Sequence, residues 1–364
     1  MSSFLESSTT STPLSTRATP FSSLLPSDST LQALDGILPE LKASEEVEEQ
    51  LRNLCRYRTR VEADGAQLSS VPKTRLASVL VLLYLSPDGQ ELRATLTTRS
   101  KRMRSHPGET ALPGGKFEPS SDKTIEETAV SYLFTLLLVL RSRLTIELTK
   151  DRVQLREANE EISLPLTIPL LHLTNLAPYT SRTLLIVVPC VYLLLLPPHE
   201  ASTWLKDQLK PSPDEVEAIF DCSLSKLLHL EESSSTISPT TRSNSRKTER
   251  ERYEYSYTDY SWPLSPTTPY RLHSFSSPSP SKFPSAVTGL TADILIDTAS
   301  IAEFGPERGL EETERVGFER RAEGQESWKE ICRRALKIQW KKGDPGRGVE
   351  VLVNGNGKKE VGLE

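Results

Sequence analysis

Ser105–Pro119 reads SHPGETALPGGKFEP and Leu155–Ser163 reads LREANEEIS, and the fold turns on whether these two stretches meet. The first enters a Gly114-Gly115 bend from the short apolar run Ala111 to Pro113. The second is a compact acidic helix signal. At about 100° per residue, Glu157, Glu160 and Glu161 stand at i, i+3 and i+4 on one face. Leu155, Ala158 and Ile162 fall on roughly the opposite face, as a core-facing stripe does. Three carboxylates within one turn repel one another by a few tenths of a kcal/mol per pair. A hard divalent cation removes that cost, and oxygen-only ligands suit Mg²⁺ or Mn²⁺.

Taken together, the two stretches resemble the Nudix box, G-x5-E-x7-R-E-U-x-E-E-x-G-U with U apolar. Gly115 stands at its first glycine and Arg156-Glu157-Ala158-Asn159-Glu160-Glu161 at its helical core. Upstream, Arg99-Ser100, His106-Pro107-Gly108-Glu109 and Pro113-Gly114-Gly115-Lys116 occur in the order of the extra motif that marks the coenzyme A diphosphatase branch. The resemblance implies an α/β Nudix fold, a mixed β-sheet in an α/β/α sandwich.

This chain departs from that pattern in three places. Val130–Gln154, a Leu-rich segment without Pro or Gly, interrupts the box; deleting it joins KTIEETA to LREANEEISLP as one continuous helix. Val130-Ser131 is encodable as GTG-AGT and Gln154 as CAG, the edges of a short intron read through in frame. Sequencing the transcript tests that reading, and a genuine insertion continuing the helix is the alternative. The closing glycine is Ser163, so the turn after the helix lacks the residue that most cheaply adopts positive φ. The glutamate after G-x5 has no clear counterpart, with Ser121 or Asp122 nearest.

Composition sets outer bounds. The chain has 364 residues, 36% of them hydrophobic, with 26 Pro, so a good part is expected to stay unpacked. A net charge of −5 and a pI near 5.8 argue against a nucleic-acid partner. Cys55, Cys190, Cys222 and Cys332 are widely spaced, which fits a reducing compartment and neither a disulfide framework nor a zinc site. The longest apolar run, Leu184–Leu196, contains Pro189 and is well short of the roughly 20 residues a bilayer needs. No membrane span is expected. The resemblance implies a peroxisomal or mitochondrial location, yet neither terminus carries a clear address; Gly362-Leu363-Glu364 is not of the Ser-Lys-Leu type.

Along the chain, residues 1–28 read as a disordered tail. Leu31–Leu54 suggests one or two amphipathic helices, with Gly36 and Pro39 as candidate breaks. Ala77–Ser86 reads as a buried strand, Pro87-Asp88-Gly89 as a turn, and Glu91–Thr98 as the returning strand. Leu166–Leu173 and Thr183–Leu196 supply further strands, with Pro189 marking a bulge or an edge. Pro213–Phe220 resembles the family's strand before a helix at Leu224–Leu230; Glu215 and Glu217 read as exposed strand-end carboxylates. Low-complexity loops are expected at 231–254 and 276–285. Tyr255–Phe275 between them resembles the branch's aromatic strand through Trp262, Tyr270 and His273, and Val287–Ala292 resembles the family's helix start, which the resemblance implies closes the fold. The domain is thus expected over 29–302, followed by a charged tail, 303–364, with one helix near Glu326–Trp340.

The chemistry implied by the resemblance is water attack on a pyrophosphate phosphorus. Mg²⁺ or Mn²⁺ held by Glu157, Glu160 and Glu161 would neutralise the phosphate oxygens and acidify the water. Arg156 would brace a box carboxylate, and Glu160 is favoured as general base. Arg99, Arg102, His106, Gly108, Glu109, Gly114, Gly115 and Lys116 would bind the substrate, coenzyme A or a derivative. Two alternatives stand beside this one: a broader hydrolase of ADP-ribose or NADH, and a binding module whose catalysis the insert impairs.

Overall fold

The computed structural model describes residues 28–57, 71–117, 153–230, 252–262, 265–279, 283–307, 309 and 316–337. Most of the expected insert, the Ser121 and Asp122 positions, the greater part of the 231–254 loop and both chain ends lie outside the described residues.

Two amphipathic helices open the domain, α1 (Asp28–Leu41) and α2 (Glu45–Arg56). Ser44 caps α2 by accepting a hydrogen bond from the Val47 N–H. Gly36 does not interrupt α1. Pro39 sits in its last turn on the exposed side, and the chain breaks after it at Lys42, where φ is +50°.

The expected hairpin forms from β1 (Leu76–Leu85) and β2 (Leu92–Arg99), pairing Leu83 with Ala94 and Leu85 with Leu92. Short strands β3 (Thr110–Ala111) and β4 (Gly114–Lys116) follow, then helix α3 (Val153–Ile162) and strands β5 (Leu170–Asn175), β6 (Tyr179–Thr180) and β7 (Ile186–Leu194). Helix α4 (Pro198–Gln208), strand β8 (Val216–Ser223) and helix α5 (Leu224–Leu228) complete the first half. The main sheet runs β3-β2-β1-β7-β5, with β4 on β1, β6 on β7 and β8 on β2. It is mixed, because β1 and β7 run parallel while their other neighbours are antiparallel.

The period of two along β1 builds two cores. Val81, Leu83 and Leu85 face one side with Leu51, Leu54, Leu193 and Ile301. Leu80, Leu82 and Tyr84 face the other with Ala158, Ile162, Tyr192 and Leu194. This is the expected sandwich of a mixed sheet between helical layers.

Pro189 lies in β7, an interior strand, so an edge position is ruled out. Its missing N–H falls where the outer ladder lapses, since β5 pairs down to Cys190 and β6 resumes at Val187. The expected bulge is on the partner strand, between His172 and Thr174.

A second antiparallel sheet is built from β9 (Glu254–Trp262), β10 (Ser265–Ser276) and β11 (Val287–Thr288), and β11 feeds helix α6 (Gly289–Phe304). The flanking segments are less loop-like than their composition suggests. Tyr253 and Phe283, inside the two expected loops, are both buried and pack on each other, and Phe283 also packs on Phe220. Ser285 binds the Thr98 and Thr110 hydroxyls. Tertiary partners override composition there.

The tail also joins the domain where it is described. Helix α7 (Trp328–Lys337) buries Ile331, Cys332 and Ala335 in the second core. Arg75, buried before β1, donates to the Ala335 and Leu184 carbonyls. Ile331→Ala is therefore expected to cost about 2–4 kcal/mol in urea denaturation, as a core truncation does; a surface helix would lose only tenths. No helix among the described residues is long and apolar enough to cross a membrane.

Candidate active site

The acidic helix and the diglycine bend meet. Strand β4 lies antiparallel to the start of β1, pairing Gly114 with Val79 and Gly115 with Ser78, and α3 packs across it. The Glu161 carboxylate accepts the Gly114 N–H at 3.2 Å. The Glu157 carboxyl covers Gly115 so closely that a Cβ there would lie 2.2 Å from its Cδ. Only a residue without a side chain lets this strand and helix approach so closely.

The three glutamates do not play equal parts. Glu157 and Glu161 are separated by about 40° around the helix, while Glu160 lies about 60° to the other side of Glu157, beside Arg156. Arg156 accordingly bonds both Glu160 oxygens at 3.1 and 3.2 Å and Glu157 at 2.9 Å, as expected of a brace. Glu160 is 54% exposed; Glu161 is buried. Burial pushes the Glu161 carboxyl up to about 8, with Glu157 and Glu215 adding and the Gly114 N–H and Arg99 opposing. Among the described residues no three acidic, His or Cys side chains are gathered tightly enough to cage a metal ion by themselves. Two of the three carboxylates thus reach the bend, and the third, Glu160, pairs with Arg156.

Val153 and Gln154, placed in the insert by sequence, belong to the helix. Val153 is buried and Gln154 donates to the Tyr192 hydroxyl. At the other end Ser163 adopts φ +56°, the left-handed conformation that the missing glycine would take without strain. Asn159 braces this turn through the Leu164 carbonyl. Ser163→Gly is expected to raise stability by about 1 kcal/mol in thermal unfolding.

The upstream motif forms the adjoining wall. Past a bulge at Glu217 of β8, opposite Thr98 and Arg99, the Arg99 charge reaches Glu161. Its backbone bonds both Glu109 and Gly108, folding the 100–109 arm back on itself. The Arg99 Nε is buried and makes no hydrogen bond. At the tip of the arm His106 Nδ1 lies 2.9 Å from Glu109, whose carboxyl this hydrogen bond holds below its ordinary value. His106 is therefore paired within the arm, and Gly108, at φ +74°, makes the reversal between them. Lys116 is exposed beside the bend, and Arg102 makes a loose, exposed pair with Asp214 at 3.8 Å.

Glu215 is exposed as expected, yet its charge reaches Glu161 and its carbonyl accepts the Ser100 N–H. The resemblance of Pro213–Phe220 to a family strand was the signal for it.

No family model matches the sequence. Curated relatives do. Nudix hydrolase 15, mitochondrial, of Arabidopsis thaliana is 31% identical over 255 residues, 68% of this chain and 66% of that protein. An uncharacterized Nudix hydrolase, NudL, of Photorhabdus laumondii is 34% identical over 169 residues, 45% of this chain and 70% of that protein. Peroxisomal coenzyme A diphosphatase 1 of Saccharomyces cerevisiae is 30% identical over 199 residues, 50% of each chain. The chain thus spans between half and about two thirds of the first relatives it matches. Among solved structures, the NUDIX domain of Shewanella oneidensis NrtR complexed with ADP ribose is 16% identical and covers 47% of this chain and 86% of that one. Its TM-score, 0.26, is too low to add to the sequence matches. The diglycine bend under an Arg-Glu-x-x-Glu-Glu helix and the relatives at 31 and 34% identity agree: the chain belongs to the Nudix hydrolase family.

Proposed function

We propose that the protein is a pyrophosphohydrolase that cleaves the pyrophosphate of coenzyme A or its derivatives into 3′,5′-ADP and 4′-phosphopantetheine. The observation that carries this reading is the seating of Glu157 and Glu161 on the diglycine bend, beside the Arg99–Glu109 arm. The yeast relative is named for the same activity.

The donor set fits a hard divalent cation. It offers only carboxylate oxygens, and one of them is buried against the repulsion of two other acids. Glu161 would hold the ion, Mg²⁺ or Mn²⁺, with Glu157 beside it at the bend and Glu160 joining on release from Arg156. When bound it supplies charge neutralisation at the phosphates and acidifies the attacking water. The residues do the rest. The bend lets a phosphate approach the backbone closely, and Arg99 and Lys116 supply positive charge to its oxygens. Arg156 occupies both oxygens of Glu160, the base favoured from sequence. Glu157, whose carboxyl covers Gly115, is better placed to accept the water's proton.

Turnover of coenzyme A and of ADP-ribose with Mg²⁺ or Mn²⁺, followed by identification of products, tests this. Preference for coenzyme A with release of 3′,5′-ADP is expected; equal or greater turnover of ADP-ribose would reject the assignment. A companion protein lacking 130–152, which spares the helical Val153 and Gln154, tests whether the insert impairs catalysis. The peroxisome or mitochondrion is the proposed location, checked by imaging the tagged full chain.

A further inference from the structure

Arg182 occupies the turn between β6 and β7, a tightly tied loop. The Ser181 N–H bonds the Leu185 carbonyl and the Leu184 N–H bonds the Ser181 carbonyl, each at 2.9 Å, and the Leu185 N–H reaches Ser181 Oγ at 3.1 Å. The turn holds an exposed guanidinium that makes no hydrogen bond or ion pair among the described residues. Tyr260, half-buried on β9, likewise has a hydroxyl without a partner among the described residues.

Packing links both to the Arg99–Glu109 arm. The Tyr260 ring stands on Tyr270 at 5.7 Å, and Tyr270 meets Trp328, which meets Tyr179 of β6, two residues before Ser181. On the other side Tyr270 donates to Asp293, one half-turn along α6 from Thr291, whose hydroxyl bonds the Thr110 carbonyl next to Glu109. Electrostatics agree with this placement. After its His106 partner, Arg182 and Arg99 are the cations that hold the Glu109 carboxyl down. Burial and Asp293 push the Tyr260 phenol up to about 12, and Arg182 opposes them. Since His106 already holds Glu109, Arg182 is left with its donor fork free for an incoming anion.

We propose that Arg182 and Tyr260 form a subsite beside the Arg99–Glu109 arm for a phosphorylated adenosine, Tyr260 stacking on the base and Arg182 binding the 3′-phosphate. Arg99 and Lys116 serve the scissile pyrophosphate, so a further cation outside them suits a further phosphate. An aromatic face suits any base and discriminates little by itself. Choice between ligands with and without the 3′-phosphate then falls to Arg182. The subsite rests on the coenzyme A reading for the identity of its ligand.

The test is equilibrium binding of 3′,5′-ADP and 5′-AMP to the full chain by calorimetry, beside turnover of coenzyme A and dephospho-coenzyme A. Wild type is expected to bind 3′,5′-ADP more tightly. Arg182→Gln weakens 3′,5′-ADP roughly ten- to hundred-fold and 5′-AMP by much less, a charge-assisted bond being lost. Tyr260→Leu weakens both ligands alike, by roughly ten-fold. Lys206→Gln, a charge removed from α4, moves neither, and thermal unfolding confirms that each variant folds. Equal losses on the two ligands in Arg182→Gln, or no preference for 3′,5′-ADP in wild type, would overturn the subsite even if coenzyme A is hydrolysed. Selective loss in Arg182→Gln without any coenzyme A turnover would uphold the subsite and reject the substrate.

Discussion

Gly115→Ala is expected to lower turnover by about 10²-fold in a protein that folds normally. The added Cβ would stand 2.2–2.6 Å from the Glu157 carboxyl. That group is the far end of a flexible side chain, so it swings aside and the backbone stays. Its displacement from the bend is of ångström scale, and such misplacements cost on the order of 10²-fold in rate. Gly114→Ala makes the control. There the Cβ would meet the Ser78 carbonyl at 2.4 Å and the Val79 Cα at 2.7 Å, both backbone in the central strand. That variant is expected to lose several kcal/mol of stability, because β4 must separate from β1. Thermal unfolding and steady-state kinetics on the two proteins check the pair. Unchanged kinetics in Gly115→Ala would mean that Glu157 has no part in the reaction.

Glu161→Gln is expected to abolish most activity and at the same time to stabilise the metal-free protein at pH 8 by on the order of 2–4 kcal/mol. In the unfolded chain this carboxyl loses its proton near 4.5; in the fold, burial defers that loss to about 8. Between those values the unfolded state binds fewer protons, so stability declines as pH rises across the window and levels off above it. Glutamine keeps an acceptor for the Gly114 N–H and has no proton to lose. Buried Asp293, also pushed up to about 8, contributes the same sign in both proteins, so the informative quantity is the difference between their pH profiles. Added Mg²⁺ or Mn²⁺ should recover wild-type stability more at pH 8 than at pH 5.5, and the variant should lose that response. Parallel profiles for the two proteins would contradict the placement of Glu161.

Local patterns carried much of the fold. The β1–β2 hairpin and the acidic helix are each readable from period, turn residues and apolar runs, since each is decided by neighbours within a few residues, while the helix opening at Gly289 was legible from its resemblance to the family's helix start. Where distant partners decide, composition misleads. Tyr253 and Phe283 sit in Ser-rich segments yet fill the core, and α7, in a charged stretch, buries three residues on the second face. Val153 and Gln154, at the end of the expected insert, continue the box helix and match its buried face, as the alternative of a helix-continuing insertion allows.

The order of residues alone determined the chemistry on offer: a diglycine bend, three carboxylates at helical spacing and a cationic arm ahead of them. It could not say how those carboxylates divide, because spacing places side chains on a face without choosing their partners. The tertiary structure made that choice. Packing α3 onto β4 turned Glu157 and Glu161 to the bend and left Glu160 with Arg156. It also brought Arg182 and Tyr260, remote along the chain and unmarked by any motif, toward the Arg99–Glu109 arm through contacts that only a folded core can make.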